Sequence, residues 1–287
     1  MLELKLTEMS DGVDYFVIGE ANRTFKGEPK PMYLRENWQR FKDWHHKIRL
    51  IDITTPADVD PWVNETQDRE QLKRGLYDAA PDDVIISSDC DELLRSTALG
   101  AIRDTPTTVN HFSLRVAQFV FKLNYLMTQY TTADNVKMVF HIPCLATRFK
   151  FLAGMEGQKK LRNETELPGT AKIWHAGWHF TFMGDNTWVK EKIKAFDYTW
   201  LNEFADQDLD IDQRIAERRF LGKKDDTVFE VCQVNDYMPR TIRQYPDRWK
   251  HWIVSSDSAS DARVILNQRL ATKNNLEEVP WDLKSQT

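Results

Sequence analysis

Apolar positions recur along this chain in two rhythms. Tyr15-Phe16-Val17-Ile18-Gly19-Glu20, Ile48-Arg49-Leu50-Ile51-Asp52-Ile53 and Val84-Ile85-Ile86-Ser87 are short, dense apolar runs bounded by polar turns, the mark of buried strands. Between the second and third runs, Leu72, Leu76 and Ala79 or Ala80 fall at helical spacing. Asn64 is placed as the N-cap of that helix, with Gln67 as its capping-box partner. Pro81-Asp82-Asp83 ends the helix and opens the third strand. Strand, helix and strand joined by short loops predict a βαβ unit with a right-handed crossover. Residues 1–13 fit both rhythms: Leu2, Leu4 and Leu6 alternate, while Leu2, Leu6, Met9 and Val13 keep helical spacing. Asn37 to His46 is aromatic-rich and predicts a helix or helix-loop. His45 and His46 are adjacent there, so they point to different sides and make a poor metal pair.

Beyond Glu92 the pattern predicts a helix from Leu93 to Arg103. Strand-like stretches follow at Val109 to Leu123, Lys137 to Ile142, Ala146 to Phe151 and Ala171 to His175. Thr187 to Phe196 and Asp206 to Phe220 read as helices, the latter acidic at its start and basic at its end, as the helix dipole favours. A parallel half followed by antiparallel strands predicts a mixed sheet.

Composition narrows the classes. The 287 residues are 41% hydrophobic, enough for one large domain, alone or with a helical appendage. Net charge is −5, with acids and bases interspersed, which argues against a nucleic-acid partner. No apolar run approaches the roughly 20 residues of a membrane span. Met1 to Leu6 is too short and too charged for a signal peptide. Cys90, Cys144 and Cys232 are scattered and form no C-x-x-C pair, so a reducing, cytoplasmic setting is expected. Of the ten tryptophans most are expected in packing, and a few as platforms for a sugar face.

Candidate chemistry gathers where the third strand ends. Asp89-Cys90-Asp91-Glu92 sets three carboxylates within four residues. In sheets covered on both faces, ligands bind beyond the carboxyl ends of the strands. Two aspartates one residue apart suit a hard divalent cation shared with a phosphate, the form of the D-x-D site in nucleotide-sugar glycosyltransferases. The same acids also suit the cap of a following helix. Arg69 is placed to reach a phosphate, or to pair with Glu65 four residues before it. Lys30 lies in a basic, Gly- and Pro-containing loop after Glu20. In Gly177-Trp178-His179 an imidazole is available to complete a metal shell, although a histidine on an apolar strand is also an ordinary core residue.

Together these motifs resemble glycosyltransferase family 17, the β-1,4-mannosyl-glycoprotein β-1,4-N-acetylglucosaminyltransferases and their microbial relatives. The stretches that carry the resemblance are Leu2 to Leu6, Val13 to Gly27 with Lys30-Pro31, Trp62 with Glu65 and Arg69, Asp82 to Glu92, Gly177-Trp178-His179-Phe180, and Met238-Pro239-Arg240 to Trp252. The resemblance favours a helix for Leu2 to Leu6. It implies a GT-A-like, Rossmann-type α/β/α sandwich with a mixed, mainly parallel sheet over residues 1–252 and a C-terminal helical tail over 253–287. It further implies inverting transfer of a sugar, GlcNAc by analogy, from a UDP-sugar donor to a glycan or other hydroxyl acceptor. Mn²⁺ or Mg²⁺ would sit on Asp89 and Asp91, with His179 as a further ligand. Glu20, Lys30, Arg69 and Asp89 would hold the nucleotide-sugar, and Trp178 would stack on a sugar. Asp197, Asp185 and Glu166 are the candidate general bases for the acceptor hydroxyl. Family members carry a strand and an acidic turn ahead of the first helix, and Met1 falls inside that region; either a missing first strand removes part of the nucleotide site, or the sequence is short at its start. Phe196-Asp197-Tyr198-Thr199-Trp200 stands where the family pattern is richer in His and Glu. Two other functions fit the same acids: a metal-dependent phosphoester or nucleotide-sugar hydrolase, and a carbohydrate-binding relative without catalysis.

Overall fold

The computed structural model of the protein describes residues 1–131, 137–152, 167, 169–195, 210–221 and 227–271. Helix α1 (Leu2–Met9) settles the first ambiguity in favour of the helical rhythm, because Leu4, Leu6 and Met9 are all buried. Strands β1 (Phe16–Ala21) and β2 (Ile48–Ile53) pair in parallel, Phe16 opposite Ile48 through Ala21 opposite Ile53. A four-residue helix α2 (Tyr33–Glu36) and a 3-10 turn (Trp38–Trp44) connect them.

Helix α3 (Pro61–Gln71) starts one turn before the predicted cap. Asp60 is its N-cap, accepting from the backbone N–H groups of Trp62 and Val63, and Pro61 takes the first position, where a missing N–H costs nothing. Asn64 is fully buried instead, and its amide donates to the carbonyls of Phe25 and Pro56, pinning the loop after β1.

Strand β3 (Val84–Ser87) does not close a βαβ unit with β2. It pairs antiparallel with β8 (His141–Arg148), while β1 and β2 form a sheet of their own. The predicted helix from Leu93 also begins later. Glu92–Leu94 is a three-residue strand, β4, with Leu93 and Leu94 fully buried, and helix α4 runs over Ser96–Asp104. Strands β5 (His111–Val120), β6 (Tyr125–Thr131), β7 (Lys137–Met138), β9 (Thr170–Thr181) and β10 (Val228–Val231) complete an eight-stranded sheet with β3, β4 and β8. Only the pairing of β5 with β9 is parallel in this sheet among the described residues. The chain is therefore mixed α/β with a mainly antiparallel sheet, not the mainly parallel one expected. The parallel pattern ends with β2 because every later strand except the β5–β9 pair meets its neighbour head to tail.

Helices α5 (Phe149–Leu152), α6 (Asn186–Ala195), α7 (Ile211–Ala216), α8 (Arg240–Gln244), α9 (Pro246–Trp249) and α10 (Ala262–Ala271) cover the sheet. Two large cores lie against it. One joins Leu6 and Met9 to Leu99, Ile102, Phe112 and Leu114. The other joins Leu4 to Phe119, Trp178, Ile265 and Leu266. Helix α1 thus reaches both cores, and α10, within the predicted C-terminal tail, packs into the same core as Trp178. No helix among the described residues is long and apolar enough to cross a membrane.

Candidate functional site

The turn from β3 into β4 carries the acid cluster, and the fold holds it from three sides. Lys5 on α1 donates from Nζ to Ser88 Oγ (2.6 Å) and to the Asp89 carbonyl (2.7 Å). The Asp89 N–H donates to Glu92 Oε2 at 2.6 Å, and the Glu92 N–H returns to the Asp89 carbonyl at 3.1 Å. Phe180 on β9 donates its N–H to the Asp91 carbonyl at 2.8 Å. Glu92 is therefore a buried clasp of the turn, so the third acid of the motif faces inward.

The two aspartates are left on different partners. Asp89 accepts from Arg69 Nη1 at 2.7 Å, and Arg69 also donates to Glu65 from Nη2 at 2.9 Å. The Glu65 pair considered for Arg69 is realised, with Asp89 as a second partner, from the last turn of α3. Asp91 accepts from Lys192 Nζ of α6 at 3.0 Å and stands 3.8 Å from His179 Nε2 on β9. Burial alone would raise the Asp91 carboxyl. The nearby His179 imidazole and the Lys192 charge outweigh it and hold the group far below the usual carboxylate range.

A cavity of about 1470 Å³ opens beside this turn, lined by residues of β1 and β3. Glu20, Lys30, Arg69 and Asp89 all line it. Glu20 is not a free acid there: its carboxylate accepts from the N–H groups of Leu34 (2.5 Å) and Arg35 (3.0 Å), capping α2. Lys30 lies 5.9 Å over the Tyr33 ring; burial lowers its pKa, against the opposing charges of Glu20 and Asp68. Trp178 does not line the cavity. It is 2% exposed in the middle of the sheet, with Nε1 donating to the Tyr237 carbonyl at 2.9 Å and the Arg95 guanidinium 4.6 Å over its ring. An aromatic that does reach the cavity is Trp188, 55% exposed on α6 and 6.5 Å from the Tyr33 ring.

Of the three candidate bases, Asp185 is exposed and caps α6, accepting from the Trp188 N–H at 2.9 Å. Asp197 and Glu166 lie outside the described residues. Sequence reasoning did not single out Lys5, Lys192 or Trp188. The one signal for Lys192 was its place flanking the buried Val189 and Ile193 on a basic helix end; nothing local marked Lys5.

The acid turn at the end of β3 thus meets Arg69 on one side and Lys192 and His179 on the other, with the cavity opening beside Asp89. Comparison with known sequences gives the family. The sequence model of glycosyltransferase family 17 matches residues 1–149, more than half of the chain, and the protein belongs to glycosyltransferase family 17. A β-1,4-mannosyl-glycoprotein 4-β-N-acetylglucosaminyltransferase of Homo sapiens is 34% identical over 105 residues, covering 32% of this chain and 19% of that protein. The proteins of the same name from Rattus norvegicus and Mus musculus are 34% and 33% identical over 105 residues, with the same coverage. The chain thus matches about a fifth of the length of these relatives.

Proposed function

We propose that the protein transfers a sugar from a nucleotide diphosphate donor, UDP-GlcNAc in the first instance, to a hydroxyl acceptor. The observation that carries this is the Asp89–Asp91 turn, inside the family match, with its two carboxylates held apart by Arg69 on one side and Lys192 and His179 on the other. Support for the donor comes from the name of the relatives, which are N-acetylglucosaminyltransferases. A GT-A-type arrangement belongs to the same proposal, supported by the parallel β1–β2 pair, helix α3 and the acid turn after β3.

A divalent cation belongs to the same proposal on the chemistry of its donors; among the described residues the ligand atoms gathered within 4.8 Å of one another are those of Glu92, His141 and His179 rather than of the aspartates. Asp91 is strongly ionised, Asp89 is 38% exposed at the cavity, and His179 Nε2 faces Asp91. Asp89 and Asp91 would hold Mn²⁺ or Mg²⁺, with His179 Nε2 turned toward Asp91, and such an ion neutralises charge building on a departing diphosphate. Arg69 offers the planar donor fork that suits phosphate oxygens, and Lys192 adds a second positive group beside Asp91. Inversion requires one carboxylate to take the acceptor proton as the hydroxyl attacks. Asp185, exposed beside Trp188, is the candidate within the described residues, with Asp197 and Glu166 as the others.

Incubating the full chain with UDP-sugars and an acceptor array, with mass-spectrometric detection of product, tests the proposal. A new glycoside whose appearance needs the acceptor supports it. Hydrolysis of donor at a rate indifferent to acceptor assigns the site to a hydrolase instead.

A further inference from the structure

Behind the acid turn, four polar side chains share one face of the large sheet. Glu92 on β4 pairs with His179 on β9, and His179 pairs with Gln118 on β5. Val116, two residues before Gln118, pairs with His141 on β8. Residues in register across neighbouring strands, and residues two apart along a strand, point to the same face. Glu92, His141 and His179 each bring one ligand atom to within 4.8 Å of the others.

Two atoms in this group are unexplained by the protein around them. His179 turns Nε2 toward Asp91, and its other nitrogen, Nδ1, is buried with no hydrogen-bond partner among the described residues. The Oε1 of Gln118, a residue only 8% exposed, is likewise buried and unpartnered there. Leaving such atoms unsatisfied costs about 1–3 kcal/mol each. The imidazoles of His141 and His179 stack 4.5 Å apart at 17°, and the Tyr130 hydroxyl lies 3.3 Å from His141 Nδ1. An Asp91–His179 pair with the far nitrogen turned inward has the form of a carboxylate that orients a metal-binding histidine.

We propose that Glu92, His141 and His179 form an inner site for a divalent transition metal, on the side of the His179 ring away from Asp91, with Gln118 Oε1 beside it. Two imidazoles and one carboxylate favour Mn²⁺ through Zn²⁺ over Mg²⁺, which takes oxygen ligands and keeps its water. The site is distinct from the Asp89–Asp91 pair and does not depend on sugar transfer. It would fix β9 against β4 and β8 and set the orientation of His179 toward Asp91.

Titrating the full chain with Co²⁺, without nucleotide, tests it by visible absorption. The site predicts one ion per chain with imidazole-type bands that an excess of Mg²⁺ does not displace. Affinity falls at least about tenfold in His141→Gln and in Glu92→Gln, and stays within about twofold in Asp89→Asn. Circular dichroism and a thermal melt check that each variant is folded. Because Glu92 is buried, the more accessible His141→Gln decides the matter if Glu92→Gln does not fold. Unchanged Co²⁺ binding in folded His141→Gln overturns the site. So does ready displacement by Mg²⁺, or binding that is lost in Asp89→Asn while His141→Gln retains it.

Discussion

His175 and His179 lie four residues apart on β9 and meet opposite surroundings. The His175 imidazole is enclosed: Nδ1 is 3.0 Å from the Tyr237 hydroxyl and Nε2 is 3.1 Å from Asn267 Oδ1. Burial, reinforced by the charges of Arg95 and Arg263 and opposed by the Asn267 bond, lowers its pKa to about 4. The unfolded chain therefore binds a proton here at higher pH than the native one. Stability from this site is complete above about pH 6.5 and is lost as the pH falls toward about 4, a swing on the order of 3 kcal/mol. Denaturant unfolding across that range is expected to show a steeper acid loss for the native sequence than for His175→Gln; equal slopes would remove this account. Trp178 gives a second residue-scale prediction. As a core residue rather than a sugar platform, Trp178→Ala should cost about 3–5 kcal/mol in the same assay. The acid cluster could be placed at a strand end from its apolar run, and the resemblance set Arg69 at the same site, where it pairs with Asp89. The burial of Trp178 and the capping role of Glu20 could not, because a dense aromatic run does not say which neighbours will cover it.

Among the elements, the short β4 matters most to the site, because its pairing with β9 sets Glu92 opposite His179 and Leu94 opposite Gly177. A Cβ added at Gly177 would fall 1.9 Å from the Leu93 carbonyl oxygen, a backbone atom with no room to move aside. Gly177→Ala is expected to lower stability by about 2–4 kcal/mol, read as a shift in the thermal unfolding midpoint. A melt unchanged from the native chain would mean that the two strands do not approach so closely. Three residues are too few for a periodic signal, so β4 was absorbed into the predicted helix from Leu93. The stretch to Leu123 ran on for a related reason. Phe121 and Leu123 are apolar, but Phe121 takes a left-handed backbone (φ 64°) and turns the chain into β6. Helix α3 was found but misplaced, since Asp60-Pro61 makes a stronger start than Asn64.

At the scale of the whole molecule, the strands and the main helix up to Ser87 were legible because their apolar runs are dense and bounded by polar turns. Pairing was not. Hydrophobic runs do not state which strand lies beside which, and β3 looks inward in sequence whether it joins β1 or β8. The same limit hid the convergence of Lys5, Lys192 and the turn, which are brought together over 84 and 101 residues of chain. Family membership rests on the first half of the chain, where the acid turn lies; the groups that complete the candidate site, His179 and Lys192, come from the second. The central claim is that these halves form one sugar-transfer site around Asp91. The most direct test is product formation from UDP-GlcNAc and acceptor, measured by mass spectrometry with Mn²⁺, for the native chain and Asp91→Asn side by side. The account predicts acceptor-dependent transfer by the native chain and a loss of at least about a hundredfold in the variant, with its melt retained. Transfer by folded Asp91→Asn at the native rate would contradict it.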